Sequence, residues 1–441
     1  MSQTAPPVQN AKQGEKPELG QRWAWVEASV WTDRMLAALE NGVKGGKWFS
    51  LIDKIQSLRT LNAAWQQVAA NKGAAGVDKV TIERFEENAG MYLEELSDDL
   101  RTGRYKPQAV KRVHIPKGEG KTRPLGIPTV KDRIVQTALK MALEPIFENE
   151  FHPNSFGFRP GRGCKDALRM VDGKLKEGYT WVVDADLSSY FDTIPHDALL
   201  RRVREEVSDG KVLELIQAFL FQDIMEEMGS WTPMSGTPQG AVISPLLANI
   251  YLHELDRLVN GAGYTMVRYA DDFVILCQSR EEAEEALTLV REWVGHNGLS
   301  LHPDKTQTGD ATKPGEGFDF LGYRFEAGRR YVRKKSMKSL RDRIRQKTKR
   351  TCGQSLERII EDLNPMLRGW FEYFKHAYKR TFPWIDGFVR RRLRSILRRH
   401  RKRSKGTGRN LNDHKCWPNT FFADHGLFTM KEAHALACQS R

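Results

Sequence analysis

Several features that would define other classes of protein are scarce or absent. The 441 residues include five cysteines, and no two of them form a C-x-x-C pair. This scatter argues against a disulfide framework or structural zinc and favours a reducing compartment. No apolar run approaches the roughly 20 residues of a membrane-spanning helix. No G-x-x-x-x-G-K-[ST] phosphate loop occurs either. We therefore expect a cytoplasmic protein without a membrane partner.

Acidic residues are also in short supply. Lys and Arg number 70 against 56 Asp and Glu, which gives a formal net charge of +14. The excess is uneven: thirteen basic residues stand against two acids between Tyr323 and Arg350, and ten against none between Phe388 and Lys405. A solvated helix face normally mixes both signs. These one-sided runs predict a surface that binds the phosphates of a nucleic acid.

The stretch from Tyr264 to Cys277 has the pattern of a β-hairpin with acids at its tip. Two β-rich runs flank Ala270-Asp271-Asp272. Adjacent carboxylates repel each other unless a cation lies between them, so a half-buried pair indicates a divalent metal site. A solvated acidic turn is the alternative, and these residues alone leave both possibilities open.

A second group of acids follows an apolar strand predicted over Thr180 to Leu187. Asp184 and Asp186 share one strand parity, so either side chain could point into a site at the end of the strand. Asp192 lies farther on, and we expect it to cap a helix over Asp197 to Val207. Together with the hairpin pair, one strand-end acid would supply three carboxylates.

Two further segments have the composition of a nucleotide-binding surface. Residues 110 to 129 predict a hairpin with Lys117 at its tip and Arg123 on the returning strand. Two such cations suit a clamp for a triphosphate, although exposed solubilising charges are equally compatible with the pattern. The Gly- and Pro-rich loop from Ser235 to Pro245 lets the backbone approach a ligand closely, and Gln239 offers both a donor and an acceptor.

Arginines interleaved with aromatics indicate nucleic-acid contact in two places. The loop from Phe151 to Gly163 contains Arg159 and Arg162 among aromatic residues, which suits stacked bases and phosphates. An ordered buried loop is the alternative. The helical and basic region after Lys335 makes a nucleic-acid clamp, and we expect it to use Arg390, Arg391 and Arg394.

These elements converge on one chemistry. Three carboxylates could hold two Mg²⁺ ions about 3.5–4 Å apart, one activating a primer 3′-hydroxyl and the other stabilising the leaving pyrophosphate. The cationic hairpin would neutralise the triphosphate, and the basic helices would hold the duplex. The residues alone therefore indicate a metal-dependent polymerase.

A series of short motifs, spread over roughly Trp48 to Arg403, resembles that of bacterial group II intron-encoded reverse transcriptase/maturases. The order along the chain is the one expected for that family. The motifs are Ile115-Pro116-Lys117, Arg123 to Pro128, Ser155 to Arg162, Asp186 to Asp192, Gly236 to Gly240, Ser244 to Leu246, the Tyr269-Ala270-Asp271-Asp272 box and Phe320 to Tyr323.

The resemblance implies an α+β right-hand polymerase with fingers, palm and thumb, an antiparallel palm sheet and a helical thumb or maturase domain X. It implies an RNA-directed DNA polymerase that copies intron RNA into cDNA during retrohoming and assists splicing. Its partners would be group II intron RNA, target DNA and dNTPs, with two Mg²⁺ ions and no implied protein partner. The expected segments are a partly disordered N-terminal extension (1–45), fingers and palm (46–325), the thumb (326–405) and a DNA-binding tail (406–441).

The resemblance also implies roles for individual residues. Asp186, Asp271 and Asp272 match the catalytic, metal-binding acids, which leaves Asp184 as a structural strand residue. Phe191 matches the position that excludes a 2′-hydroxyl group. The nucleotide site would include Lys117, Arg123 and Gln239; the primer region Tyr269, Phe320, Leu321 and Gly322; and the nucleic-acid contacts Arg159, Arg162, Lys305, Arg390, Arg391 and Arg394.

One departure and two alternatives qualify this expectation. Larger members carry a C-terminal H-N-H endonuclease with paired cysteines, and this sequence resembles the short class without one. A domesticated reverse transcriptase in defence or repair is one alternative. The other is a splicing factor that only binds RNA on an inactive polymerase scaffold. The three intact acids argue against the latter.

Overall fold

The structure, a computed structural model, describes residues 22–43, 45–118, 120–226, 229–351, 353–400 and 412–439. The side chains of residues 118 and 121 lie outside that description. The disorder predicted for the start of the N-terminal extension also falls outside these ranges. Within them, no helix is both long enough and apolar enough to cross a lipid bilayer.

The N-terminal part is helical and packs around one long buried helix. Ser57 and Thr129 start two of its helices, because each side chain accepts a hydrogen bond from a backbone N–H of the first turn. The helices are α1 (Asp33–Asn41), α2 (Ile52–Ile55), α3 (Leu58–Ala70), α4 (Ile82–Glu86), α5 (Ala89–Thr102) and the long α6 (Val130–Glu150).

The first sheet contains the predicted hairpin between residues 110 and 129. Strands β1 (Val110–Gly118) and β2 (Lys121–Ile127) are antiparallel neighbours, which confirms that prediction. Two short strands, β4 (Ile224–Glu226) and β5 (Gly229–Trp231), extend the sheet in the order β2-β1-β4-β5. Between β1 and β4 the pairing is parallel.

The central sheet has four antiparallel strands in the order β6-β7-β3-β8. Its strands are β3 (Trp181–Asp186), β6 (Thr265–Tyr269), β7 (Asp272–Cys277) and β8 (Gln307–Asp310). Alternation gives the sheet two buried faces: Ala185 and Phe273 face the core of the N-terminal half, whereas Val182 and Val274 face the C-terminal core. The sheet therefore joins both halves of the chain. The helices around it are α7 (Cys164–Lys176), α8 (Tyr190–Thr193), α9 (His196–Glu206), α10 (Gly210–Leu220), α11 (Ser244–Gly261) and α12 (Arg280–His296).

A small sheet and three long helices form the C-terminal part. The sheet contains β9 (Phe318–Phe320), β10 (Tyr323–Glu326) and β11 (Arg329–Val332) in the order β11-β10-β9. The apolar stripe of the middle helix is buried against its neighbours, as the sequence of that helix predicts. The helices are α13 (Lys334–Lys347), α14 (Leu356–Phe374) and α15 (Thr381–His400).

Residues 412–439 pack onto these helices and share their core. Trp417, Phe422 and Met430 are buried in the same cluster as α14 and α15. The Asp386 carboxylate accepts hydrogen bonds from the backbone N–H groups of Met430 and Lys431, at 3.0 and 2.9 Å. The described part of the predicted tail therefore has no core separate from that of the preceding helices. Its helices are α16 (Asn412–Cys416), α17 (Asn419–Asp424) and α18 (Met430–Gln439).

Candidate active site

The acidic hairpin has the predicted form. Strands β6 and β7 pair up to Tyr269 and Asp272, which leaves Ala270 and Asp271 in a two-residue turn. On the neighbouring strand β3, Asp186 is the direct partner of Asp272. Residues directly opposite each other on antiparallel strands project to the same face of a sheet. The fold thus places two of the predicted acids side by side and the third in the adjoining turn.

The acids at this site repel one another. Burial, followed by the charges of Asp184, Asp271 and Asp186, raises the pKa of Asp272 to about 7. The pKa of Asp271 is also raised, chiefly by burial and then by the Asp186 charge. Each charged form is therefore disfavoured in the folded protein unless positive charge is supplied.

Lys305 supplies one such charge. Its Nζ donates to Asp186 Oδ2 at 2.5 Å, and its loop is anchored because the His302 N–H donates to the Asp186 carbonyl at 2.7 Å. Both side chains of the ion pair remain partly exposed. The structure therefore places Lys305 beside a predicted catalytic acid, and it leaves the predicted contact of Lys305 with nucleic acid untested.

The donor set at this site fits a divalent cation. Carboxylate oxygens are the ligands that hard divalent ions prefer, and such an ion between Asp186, Asp271 and Asp272 would relieve their repulsion. In the part of the chain that the structure describes, no three His, Cys, Asp or Glu side chains stand close enough to make a ready metal cage. We infer that a cation entering here would compete with Lys305 for Asp186.

Asp184 lies on the same strand but has protein partners. Its carboxylate is hydrogen-bonded by the Gln307 side chain and the Asp319 backbone. Burial, and next the charge of Asp319, raises the pKa of Asp184 to about 7. Strand parity left Asp184 and Asp186 as alternatives. Asp186 is the one that pairs directly with Asp272, next to the acidic turn.

A buried arginine, which sequence reasoning missed, supports the acidic turn. The Arg268 side chain is fully buried, and it pairs with the Asp256 carboxylate of α11 through both oxygens, at 2.8 and 2.5 Å. The same guanidinium donates to the Ala270 carbonyl and to Asn249 Oδ1, both at 2.9 Å. The sequence feature that could have revealed this network is an arginine inside an apolar strand, since a buried charge requires a buried partner.

The loop after α6 also touches the turn. The Gly157 carbonyl accepts from Asn249 Nδ2 at 2.8 Å, and a Cβ added to Gly157 would lie 2.3 Å from the backbone N of Ala270. Ala270 itself has φ +61°, in the left-handed region that non-glycine residues rarely adopt. Only glycine fits at residue 157 without displacing the turn.

The Gly-rich loop links the predicted nucleotide-binding segments through its backbone. Thr237 N–H donates to the Phe191 carbonyl at 2.6 Å, and Gly126 N–H of β2 donates to the Gln239 carbonyl at 2.6 Å. The Gln239 side chain donates to Asp192 Oδ2 at 3.1 Å. The prediction that Asp192 caps the next helix is therefore wrong, because the N-cap residue of α9 is Pro195 and no side chain caps that helix.

Two glycines permit that close approach. Gly236 has φ +88°, and a Cβ there would lie 2.7 Å from the Phe191 carbonyl oxygen. Gly240 has φ +108°, and a Cβ there would lie 2.4 Å from the Gly126 carbonyl oxygen. Any side chain would push the loop away from α8 or from β2.

Lys117 and Arg123 are exposed on the β1–β2 hairpin. Arg123 lies opposite Ile115 in the paired strands, whereas Lys117 lies at an irregularity in the pairing between Pro116 and Gly118, near the end of the hairpin. The hairpin joins the Gln239 loop through Gly126. This position is compatible with the predicted triphosphate clamp.

The predicted primer region lies at the turn between β9 and β10. Leu321 and Gly322 both have positive φ, +46° and +84°, as a two-residue hairpin turn requires. The Tyr373 hydroxyl of α14 donates to the Leu321 carbonyl at 2.8 Å. A hydrogen bond with the Cys164 thiol raises the pKa of Tyr269 to about 12. The other predicted member, Phe320, is a buried core residue.

Two of the predicted nucleic-acid contacts are wrong. The Arg159 guanidinium is buried, paired with the Glu148 carboxylate at 2.7 and 2.8 Å, and also donates to two backbone carbonyls. Arg394 is buried as well and donates to the Trp417 carbonyl and Asn419 Oδ1, both at 2.9 Å. Neither group can reach a phosphate without leaving its partners.

The other three arginines stay predictions. Arg162 donates to the Pro153 carbonyl at 2.7 Å and keeps about a third of its side chain exposed. Arg390 is half-buried, and Arg391 is exposed with its guanidinium over the Phe388 ring.

Comparison with known proteins shows which family the chain belongs to. The reverse transcriptase (RNA-dependent DNA polymerase) family matches residues 115–325, and the group II intron, maturase-specific domain matches residues 337–417. Protein YkfC of Escherichia coli (strain K12) is 37% identical over 296 residues, which cover 58% of this chain and 77% of YkfC. The chain belongs to the group II intron reverse transcriptase/maturase family.

It therefore carries a reverse transcriptase domain, an RNA-directed DNA polymerase, followed by a maturase domain. The expected α+β right-hand polymerase fold is confirmed, with a central antiparallel sheet and a helical C-terminal part. Reverse transcriptase domains use divalent metal ions, which agrees with the donor set at Asp186, Asp271 and Asp272.

Other similarities are more partial. The group II intron-encoded protein LtrA of Lactococcus lactis subsp. cremoris is 40% identical over 199 residues, covering 44% of this chain and 33% of LtrA. The chain thus aligns with about a third of the length of that relative. Among solved structures, a partial Cas6-RT-Cas1--Cas2 complex is similar with a TM-score of 0.36 and 24% identity, covering 56% of this chain and 41% of that chain.

Proposed function

We propose that this protein copies group II intron RNA into cDNA during retrohoming and assists the splicing of that RNA. Its substrates are dNTPs, a primer on an RNA template and, for retrohoming, a target DNA. The observation that carries the proposal is the placement of Asp186 opposite Asp272, beside the Asp271 turn, where the three charges oppose one another. Two Mg²⁺ ions at these carboxylates would activate the primer hydroxyl and stabilise the pyrophosphate.

The remaining residues of the site bind and orient the reactants. Lys305 holds the Asp186 carboxylate in place before it binds a cation. Lys117 and Arg123 neutralise the triphosphate, because both are exposed on the fingers hairpin. Gln239 contacts the incoming nucleotide. The hydrogen bond from its side-chain amide to Asp192 fixes the orientation of that amide.

We assign residues 46–325 to fingers and palm and residues 326–405 to the thumb or maturase domain X. The described residues of the tail, 412–439, pack on the thumb helices, and we assign them to the same functional unit. A direct test is primer extension on an RNA template with dNTPs and Mg²⁺, followed by splicing of a group II intron RNA with and without the protein. Extension without any effect on splicing would limit the function to reverse transcription.

The Phe191→Ala variant tests the nucleotide site. Phe191 is half-buried, its ring packs edge-on against Tyr190 with centroids 5.5 Å apart, and the hydrogen bond from Thr237 N–H to its carbonyl holds its backbone beside the loop of Gln239. Removing the ring should admit the 2′-hydroxyl and reduce discrimination against rNTPs by at least about tenfold. The measurement is the ratio of kcat/KM for dNTP and rNTP incorporation. Phe191→Tyr keeps the ring and should retain discrimination, whereas strict dNTP use by Phe191→Ala would remove this role.

The Gly157→Ala variant tests the support of the acidic turn. The added Cβ meets the Ala270 backbone N at 2.3 Å, so the turn that carries Asp271 must move. A displacement of about 1 Å at a catalytic group lowers the rate by on the order of 10²-fold, so cDNA synthesis should fall by that order. Gly173→Ala in α7 is the matched control, since its Cβ meets no atom within 4 Å. Equal activity of both variants would contradict the proposed support.

A further inference from the structure

Two aromatic rings and two arginines meet on the surface between α13 and α15. Trp384 and Phe388 lie one helical turn apart on α15, and their rings are nearly parallel, at 9°, with centroids 6.3 Å apart. Arg341 and Arg345 lie one turn apart on α13. The Arg341 guanidinium carbon is 5.3 Å from the Trp384 ring centroid and 5.4 Å from that of Phe388.

Basic side chains outnumber acidic ones around these rings. Arg345 and Arg391 also lie over the Phe388 ring, at 5.7 and 5.3 Å. Asp342 is the one acid of α13, and it pairs with Arg345 at 2.5 Å. The same helix contains seven Lys and Arg residues. Arg341 and Arg391 therefore leave the cluster with net positive charge.

Exposure distinguishes the two aromatic residues. Phe388 is 7% exposed, and its stacking with the arginines contributes to the packing of α13 against α15. Trp384 is 50% exposed although it is the largest apolar side chain type, so its ring contributes little to that core. An exposed aromatic ring with guanidinium groups beside it is the arrangement on which proteins stack bases and hold the adjoining phosphates.

We propose that Trp384, Arg341 and Arg391 bind one unpaired nucleotide of an RNA strand. The base stacks on the exposed face of the Trp384 indole, and the adjoining phosphates pair with the two guanidinium groups. RNA is the partner because all three residues lie within 337–417, the segment that matches the group II intron maturase-specific domain. The inference rests on the proposed maturase function and adds a site and a ligand chemistry to it.

The test compares RNA binding by the full chain and its Trp384→Ala variant. One probe is an RNA hairpin with a single-stranded extension, and the other is the same hairpin without the extension. We expect the variant to bind the extended RNA about tenfold more weakly or worse, and the paired RNA within about twofold of the unmutated chain. Trp384→Phe, which keeps a stacking surface, should recover most of the affinity.

Salt dependence separates stacking from phosphate contact. Trp384→Ala should leave the slope of log K against log salt unchanged, whereas Arg341→Gln and Arg391→Gln should each reduce it by up to roughly 0.7. Equal affinity of Trp384→Ala and the unmutated chain for the extended RNA would overturn the proposal. So would an equal loss for both RNAs.

Two readouts keep this proposal separate from the polymerase assignment. Thermal melting of Trp384→Ala should match that of the unmutated chain, since the replaced ring is half exposed. Its primer extension on a short RNA template should also persist, because Trp384 is not part of the acidic site. If the unmutated chain made no cDNA but bound the extended RNA through Trp384, the polymerase proposal would fail and the binding site would stand.

Discussion

Asp271→Asn is expected to reduce cDNA synthesis on a primed RNA template by at least about 10²-fold, because a neutral carboxamide is a poor ligand for a divalent cation. RNA binding should remain, since the change lies in the turn and not on the basic thumb. Stability in metal-free buffer should not fall. Folding raises the pKa of Asp271, so the charged carboxylate is less stable in the folded protein than in the unfolded chain. This lowers the free energy of unfolding by its full amount at a pH above the pKa of the folded state, and has no effect at a pH below the pKa of the unfolded state. The neutral variant removes that cost at neutral pH.

Asp304→Asn is the matched control, because it removes the same charge from an exposed position in the loop next to Lys305. Primer extension, RNA binding and thermal melting should all match those of the unmutated chain. Unchanged cDNA yield from Asp271→Asn would refute the metal assignment. Loss of both RNA binding and cDNA synthesis would instead show that the turn has a general structural role.

Arg268→Met is expected to lower the free energy of unfolding by about 3–5 kcal/mol, the usual effect of removing one partner of a buried ion pair. The methionine fills part of the space, but the Asp256 carboxylate, 1% exposed, is left without its cation. The Ala270 carbonyl also loses its donor. Chemical denaturation gives the stability, and primer extension well below the melting temperature gives the effect on the turn.

The Asp256→Leu/Arg268→Met double variant should regain part of the lost stability, because an apolar pair leaves no buried charge. It should not regain full cDNA synthesis, since the Ala270 carbonyl still lacks the guanidinium. Arg280→Met, which breaks an exposed ion pair with Glu284, should leave stability without a measurable change. If Arg268→Met matched Arg280→Met, the buried network would not support the hairpin.

The local parts of the site were predictable from the sequence. Alternating apolar residues defined β3, β6 and β7, and the two-residue interval between β6 and β7 placed Asp271 in a turn. Strand parity could not choose between Asp184 and Asp186. The family resemblance favoured Asp186, and the antiparallel register places it opposite Asp272.

Contacts between distant residues were not predictable in the same way. Arg159 and Arg394 lie in stretches that resemble nucleic-acid-binding surface, yet Glu148 and Trp417 engage them in the interior. Lys305 reaches Asp186 across 119 residues. A run of basic residues shows the average charge of a segment. Whether one guanidinium is exposed or buried depends on which carboxylates and carbonyls the fold brings next to it.

The most direct test of the metal assignment is the number of divalent ions that the protein binds. Mn²⁺ serves as a paramagnetic substitute for Mg²⁺, and electron paramagnetic resonance counts the bound ions in a complex with a primed RNA template and a non-hydrolysable dNTP analogue. We expect two ions in the unmutated protein and fewer in the Asp271→Asn variant, with the Asp304→Asn variant still binding two. The same number of tightly bound ions in all three proteins would contradict the assignment of Asp186, Asp271 and Asp272 as the metal ligands.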